Sequence, residues 1–166
     1  PPAGGACRGE GARQLAAGGG RVRTMAGPDR VGHLVAEFGE GGRPILLLGH
    51  FDTVWPVGTL QQMPVVERDG RLFGPGILDM KSGIAIGMLA LRALASASTA
   101  PMPHIVFLLT ADEETGSQTS RSLVEEEALR SEAVLVLEPA LPDGSLKTAR
   151  KGCGQFEITV GGVAAH

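Results

Sequence analysis

The chain has 166 residues, 43% of them apolar and 20% charged, with a formal net charge of −3. That length suits one domain, or one domain and a piece of a second, and folding would withdraw roughly 70% of the unfolded surface from water. There is no basic block, which argues against nucleic acid or an acidic membrane surface as partner. No apolar run approaches the ~20 residues of a membrane helix. Cys7 and Cys153 match no C-x-x-C pattern and make no disulfide framework, so a reducing, cytoplasmic compartment is expected.

The Gly/Ala-rich start has no continuous apolar segment and does not read as a signal peptide. Residues 11–17 read as the end of a helix. "RVGHLVAEFG" and "RPILLLGH", separated by "EGG", predict a β-hairpin. "VWPVGTLQQMP" is a proline-punctuated loop, and "PVVERDGRLFGPG" predicts a short hairpin turning at "RDG". "SGIAIGMLALRALAS" is apolar nearly all round and predicts a largely buried helix. "HIVFLLT" and "AVLVLEP" predict buried strands. Between them, "SQTSRSLVEEEALRS" predicts a helix with Leu123, Val124 and Ala128 inward and Glu125, Glu126 and Glu127 in solvent. Its cap is Ser117, Thr119 or Ser122. "PDGSLKTARKG" is a connector, and "GQFEITVGG" alternates like a half-exposed strand. Helices and continuous apolar strands therefore alternate, which predicts an α/β fold with a mainly parallel central sheet flanked by helices.

Acids and imidazole recur at strand ends. His50 and Asp52 follow "ILLL"; Asp112, Glu113 and Glu114 follow "VFLLT"; Glu138 follows "VLVL"; Asp79 precedes the apolar helix. In open α/β sheets, ligands bind beyond the carboxyl ends of strands. Several carboxylates in one crevice repel one another and raise each other's pKa values, and a dication removes that cost. One imidazole with several carboxylates suits zinc, with cobalt or manganese as alternatives, better than calcium. Two metals sharing a bridging carboxylate would lie about 3.5–4 Å apart.

"GHFDTV", "GILDMKSG", "TADEETGS" and "LEP", in this order, resemble the dinuclear zinc amidohydrolases and exopeptidases. That family includes glutamate carboxypeptidase, acetylornithine deacetylase, succinyl-diaminopimelate desuccinylase and aminoacylase. The likeness runs from about Val31 to His166, and "GHFDTVWPVGTL" looks most like the glutamate-carboxypeptidase branch. It implies a zinc-exopeptidase-like fold, with residues 1–149 in the catalytic domain. Residues 150–166 would begin an inserted α+β lid that also mediates a homodimer. The resemblance implies two zinc ions. His50 and Glu138 would bind the first, Glu114 the second, and Asp79 both. Asp52 would hold the ring nitrogen of His50 that faces away from metal. Glu113 would be the general base, and the Asp79–Met80 peptide bond would be cis. His166 would reach the partner subunit's active site as an oxyanion donor. The chain does not begin with Met and stops at "VGGVAAH", so both ends read as truncated; a further histidine ligand is expected downstream, so these 166 residues alone are expected to be inactive.

Blander readings stand beside these. His33 and His104 are read as satisfied polar residues, Asp112 as structural, and Glu138 as either a ligand or a strand end before Pro139. His166 reads equally as a surface residue at a turn. "GPGILDMKS" is no phosphate loop, because Pro75 and Met80 stand where that motif needs glycine. The expected activity is hydrolysis of an amide bond next to a free carboxylate in a small peptide. The alternatives are an N-acyl amino acid deacylase or desuccinylase, a non-catalytic ligand-binding relative, or another metal enzyme such as a phosphoesterase.

Overall fold

The computed structural model describes residues 3–27, 32–97, 100–154 and 156–163. Helix α1 (Ala3–Ala17) leads into strands β1 (Arg21–Met25), β2 (His33–Phe38) and β3 (Ile45–His50). A short helix α2 (Thr59–Gln62) and a hairpin of β4 (Val66–Arg68) and β5 (Arg71–Phe73) follow. Then come α3 (Ser82–Ala97), β6 (Ile105–Thr110), α4 (Arg121–Arg130) and β7 (Ala133–Val136).

The main sheet has the order β1-β2-β6-β3-β7. β6, β3 and β7 run parallel, while β2 is antiparallel to both β1 and β6. The sheet is thus a parallel centre with an antiparallel hairpin at one side, flanked by helices. The hairpin, however, is β1–β2 and not β2–β3. β6 is inserted between β2 and β3 and pairs with both. Its six residues are all buried, and a buried strand needs a partner on each edge to satisfy its backbone groups. The predicted hairpin would have left one edge of β6 open. β1, with the sequence "RVRTM", carries too few apolar residues to stand out as a strand.

Strand alternation builds two cores. Ile105, Phe107 and Leu109 face Leu15 of α1 with Ile84 and Leu91 of α3. Val106 and Leu108 face the other way, with Val35 and Leu46, against Leu123, Val124 and Ala128 of α4. Phe107 is fully buried, and its truncation to alanine would cost about 3–5 kcal/mol.

Five local expectations change. α1 starts at Ala3 and continues through four glycines. Its contacts with β1 and β2 override poor helix propensity. α3 buries only Ile84, Gly87 and Leu91, and Ile86 and Leu89 stand in solvent. Only one of its faces meets the sheet. β7 is an exposed edge strand, paired with β3 alone. Glu127 is buried, held by Arg23 and Arg130. Residues 151–154 and 156–163 form no strand and are exposed, because an alternating segment needs a neighbouring edge and pairs with none here.

Candidate metal centre

The parallel arrangement of β6, β3 and β7 sends three carboxyl ends to one edge of the sheet. β3 ends at His50, β6 at Thr110 just before the Asp112–Glu114 turn, and β7 two residues before Glu138. Asp79 arrives differently. Gly76 has φ 67°, and the chain then makes an irregular turn over Ile77–Lys81. There Asp79 (φ −111°, ψ 99°) and Met80 leave helical geometry, and the Asp79–Met80 peptide bond is cis. Next to this turn, Gly83 lets α3 lie against the strand end, since a Cβ there would run into the Leu137 carbonyl oxygen.

His50 is 2% exposed, yet its ring is surrounded by acids. Nε2 lies 3.1 Å from Asp79 Oδ1, 3.2 Å from Glu138 Oε1 and 3.8 Å from Glu113 Oε2. Nδ1 lies on the opposite side, 3.3 Å from Asp52 Oδ1 and 3.2 Å from the Asp52 carbonyl oxygen. The backbone N–H of His50 donates to the buried thioether of Met80 at 3.1 Å. His50, Asp79 and Glu114 each offer a ligand atom within 4.8 Å of one another. Asp52 Oδ2 accepts the Glu114 N–H at 3.0 Å, which ties the β3 loop to the acidic turn.

The electrostatics are those of crowded carboxylates around one cation. Burial opposes protonation of His50, but Asp52, Glu113 and Glu138 outweigh it and push its pKa up to about 9. Burial also acts against the Asp52 charge. Its bonds to His50 and the Glu114 N–H prevail, and its pKa lies below the ordinary carboxylate value. Glu113 and Glu114 move the other way. Burial raises both, with Glu138 adding to the effect on Glu113 and Asp79 to that on Glu114.

The side chains open into a crevice of about 720 Å³, which Lys147 and Arg150 also line. These two cations escaped the sequence reading because they lie on a connector without periodicity. Their only signal was a pair of basic residues shortly after Glu138. Met80 was likewise missed as a support for His50, though it adjoins Asp79 in sequence. A second cavity, about 360 Å³ between α1 and α3, is lined mainly by apolar groups such as Leu15, Phe38 and Met88, and holds no acidic cluster. His33 and His104 have partners of their own: Thr119 and the Ala111 N–H for His33, the Gly42 carbonyl for His104. His166 lies outside the described residues. Cys7 and Cys153 are free. No described helix is long and apolar enough to cross a membrane.

The donor set fits a divalent metal. One imidazole nitrogen and several carboxylate oxygens converge, the far ring nitrogen faces the carbonyl and carboxylate of Asp52, and the acids otherwise repel.

A family model described as Peptidase family M20/M25/M40 matches residues 46–163. Carboxypeptidase G2 of Pseudomonas sp. is 35% identical over 129 residues, covering 77% of this chain and 31% of that protein. Succinyl-diaminopimelate desuccinylase of Delftia acidovorans is 36% identical over 161 residues, covering 87% of this chain and 42% of that protein. The chain thus spans 31% and 42% of the length of these two relatives. Among solved structures, human carnosine dipeptidase 1 superposes with a TM-score of 0.66 at 22% identity, over 80% of this chain and 32% of that one. An M20 family metallo-carboxypeptidase from Sulfolobus solfataricus gives 0.67 at 16% identity, over 82% and 33%. At these identities the two structures speak for the fold alone.

Proposed function

Because the chain belongs to peptidase family M20/M25/M40, we propose that the whole protein is a metal-dependent hydrolase. It cleaves an amide or peptide bond next to a free carboxylate, as a glutamate-carboxypeptidase-like exopeptidase. The observation that carries this reading is the ring of His50. One nitrogen faces Asp79 and Glu138, and the other faces Asp52, at the carboxyl edge of parallel strands.

In this reading His50 and Glu138 would hold one zinc, Glu114 a second, and Asp79 would serve both; cobalt or manganese would suit the same donors. When bound, the metal acidifies water and polarises the amide carbonyl. Asp52 fixes the tautomer and orientation of His50. Glu113, half exposed at the crevice and with a raised pKa, takes a proton from the attacking water and delivers it to the departing amine. Lys147 and Arg150 supply positive charge for a substrate carboxylate. Residues 1–149 then belong to the catalytic domain and 150–166 to the start of a lid through which the protein dimerises. His166 serves the partner's site, and the protein works in the cytoplasm.

A second reading, an N-acyl amino acid deacylase or desuccinylase, is favoured by the likeness to succinyl-diaminopimelate desuccinylase over most of the chain. Metal analysis of the full-length protein, with hydrolysis of folyl- or aminoacyl-glutamates against N-succinyl and N-acyl amino acids, separates the two. A protein that binds zinc and hydrolyses neither class would be a ligand-binding relative, and this proposal would fail.

A further inference from the structure

Behind the acidic cluster lies a second set of polar groups with no place in the chemistry just described. His33, the first residue of β2, is fully buried, and so, nearly, is Asp112, at 2% exposure. The Ala111 N–H meets His33 Nδ1 at 3.1 Å. A backbone amide can only donate, so Nδ1 accepts and the ring proton sits on Nε2. Nε2–H donates to Thr119 Oγ1 at 3.0 Å, and that hydroxyl donates onward to Asp112 Oδ2 at 2.7 Å. The same Oδ2 accepts the Thr119 N–H at 2.7 Å and the Ser120 N–H at 3.2 Å. The Asp112 carbonyl oxygen accepts the Thr115 and Ser117 N–H groups. Every proton in this chain of bonds therefore has one place.

These bonds fasten both ends of one segment. Ala111 and Asp112 leave β6, and Thr119 and Ser120 enter α4. Between them sit Glu113 and Glu114. β2 is antiparallel to β6, with Leu34 opposite Leu109, so His33 lies beside the point where β6 ends. We propose that His33 is a positioning residue: through Thr119 and Asp112 it fixes the turn that presents Glu113 and Glu114 to the metal centre. This rests on the roles given to those two glutamates above. Asp52 anchors the front of the turn through the Glu114 N–H, and His33 anchors the back. Burial holds the His33 ring below its ordinary pKa, against the pull of Asp112 and Asp52, consistent with a neutral ring that can both accept and donate. Exchanging groups at such supporting positions typically costs about 10–100-fold in metal affinity or activity.

The test uses the full-length protein with Thr119→Val, which removes the hydroxyl at nearly constant shape, and Thr119→Ser, which keeps it. In the metal-free protein, nitrogen chemical shifts of labelled His33 should report the Nε2–H tautomer; the Nδ1–H tautomer would overturn the proposal whatever the activity. Thr119→Val should lose about 10–100-fold in kcat or in zinc affinity by titration, with KM unchanged, and Thr119→Ser should restore it. Wild-type zinc affinity and kcat in Thr119→Val, with or without a lower Tm, would reduce the network to a structural one and overturn the proposal. So would a Thr119→Ser no better than Thr119→Val. Glu113→Gln is the control: if it is inactive while Thr119→Val is normal, only the positioning idea fails. If Glu113→Gln keeps full activity, the reading beneath it fails and this proposal goes with it.

Discussion

Asp112 and Glu113 are neighbours in sequence and carry the same functional group, yet the fold treats them as opposites. Asp112 is 2% exposed, and one of its oxygens accepts three hydrogen bonds. Burial works against its charge, but the bonds from Ser120 and Thr119 win and lower its pKa. The Glu113 side chain is 50% exposed and shares its crevice with the carboxylates of Glu138 and Asp79. Burial and those neighbours raise its pKa. Asp112 is buried with three donors on one oxygen; Glu113 is half exposed among other carboxylates. A carboxylate with one oxygen held by three donors keeps its charge and holds structure, whereas one crowded by other carboxylates is left for a cation or a proton.

The largest effect should come from the front. Glu113→Gln in the full-length protein should lower kcat by about 10²–10⁴ while zinc content is retained. Loss of zinc together with activity would make Glu113 a ligand and blur the contrast. Metal removal comes next. With free metal at a hundred times its Kd, the ion stabilises the fold by about 2.7 kcal/mol. Chelation should therefore lower Tm, and an unchanged Tm would mean that the acids are not bridged by metal.

At the back, Asp112→Ala should cost about 1–3 kcal/mol, because it strands the buried Ser120 N–H and removes the acceptor of the part-buried Thr119 N–H and hydroxyl. The pH dependence has a definite sign. The folded pKa of Asp112 is lowered. Its contribution is complete above the unfolded value near ~3.9 and disappears as pH falls through the folded value. Urea denaturation of wild type and variant should therefore converge at strongly acidic pH. The smallest effect runs opposite. In metal-free protein Glu113→Gln should be neutral to slightly stabilising at pH 7, by no more than about 0.5 kcal/mol. That gain should vanish as pH falls below the unfolded glutamate value near ~4.3. A destabilised Glu113→Gln at neutral pH would show that the two carboxylates are alike after all.

Much of the candidate site was legible in the sequence. His50, Asp52, Asp79, Glu113, Glu114 and Glu138 each adjoin an apolar segment, and a charged group at the end of a buried segment is conspicuous. The partners of the supporting groups were not legible. His33 reads as a satisfied polar residue and Asp112 as structural, but the residues that satisfy His33, Ala111 and Thr119, lie 78 and 86 positions away. Glu127 looked solvated within a run of glutamates, and only its meeting with Arg23, 104 positions away, explains its burial.

The sequence by itself determined the strands whose both faces are covered. β3 and β6 must be nearly continuous apolar runs if neither face meets water, and their own residues carry that requirement. It also determined which chemical groups stand at their ends. Only the tertiary structure decided the order β1-β2-β6-β3-β7, the place of the hairpin, and the exposure of β7 and of one face of α3. Period and polarity specify which face of an element avoids water, but not which distant backbone will cover it or pair with its edge. That choice is made by the summed burial and hydrogen bonding of all elements together, and it is what brings Asp79 and Glu138, 59 positions apart in the numbering, to the same nitrogen of His50.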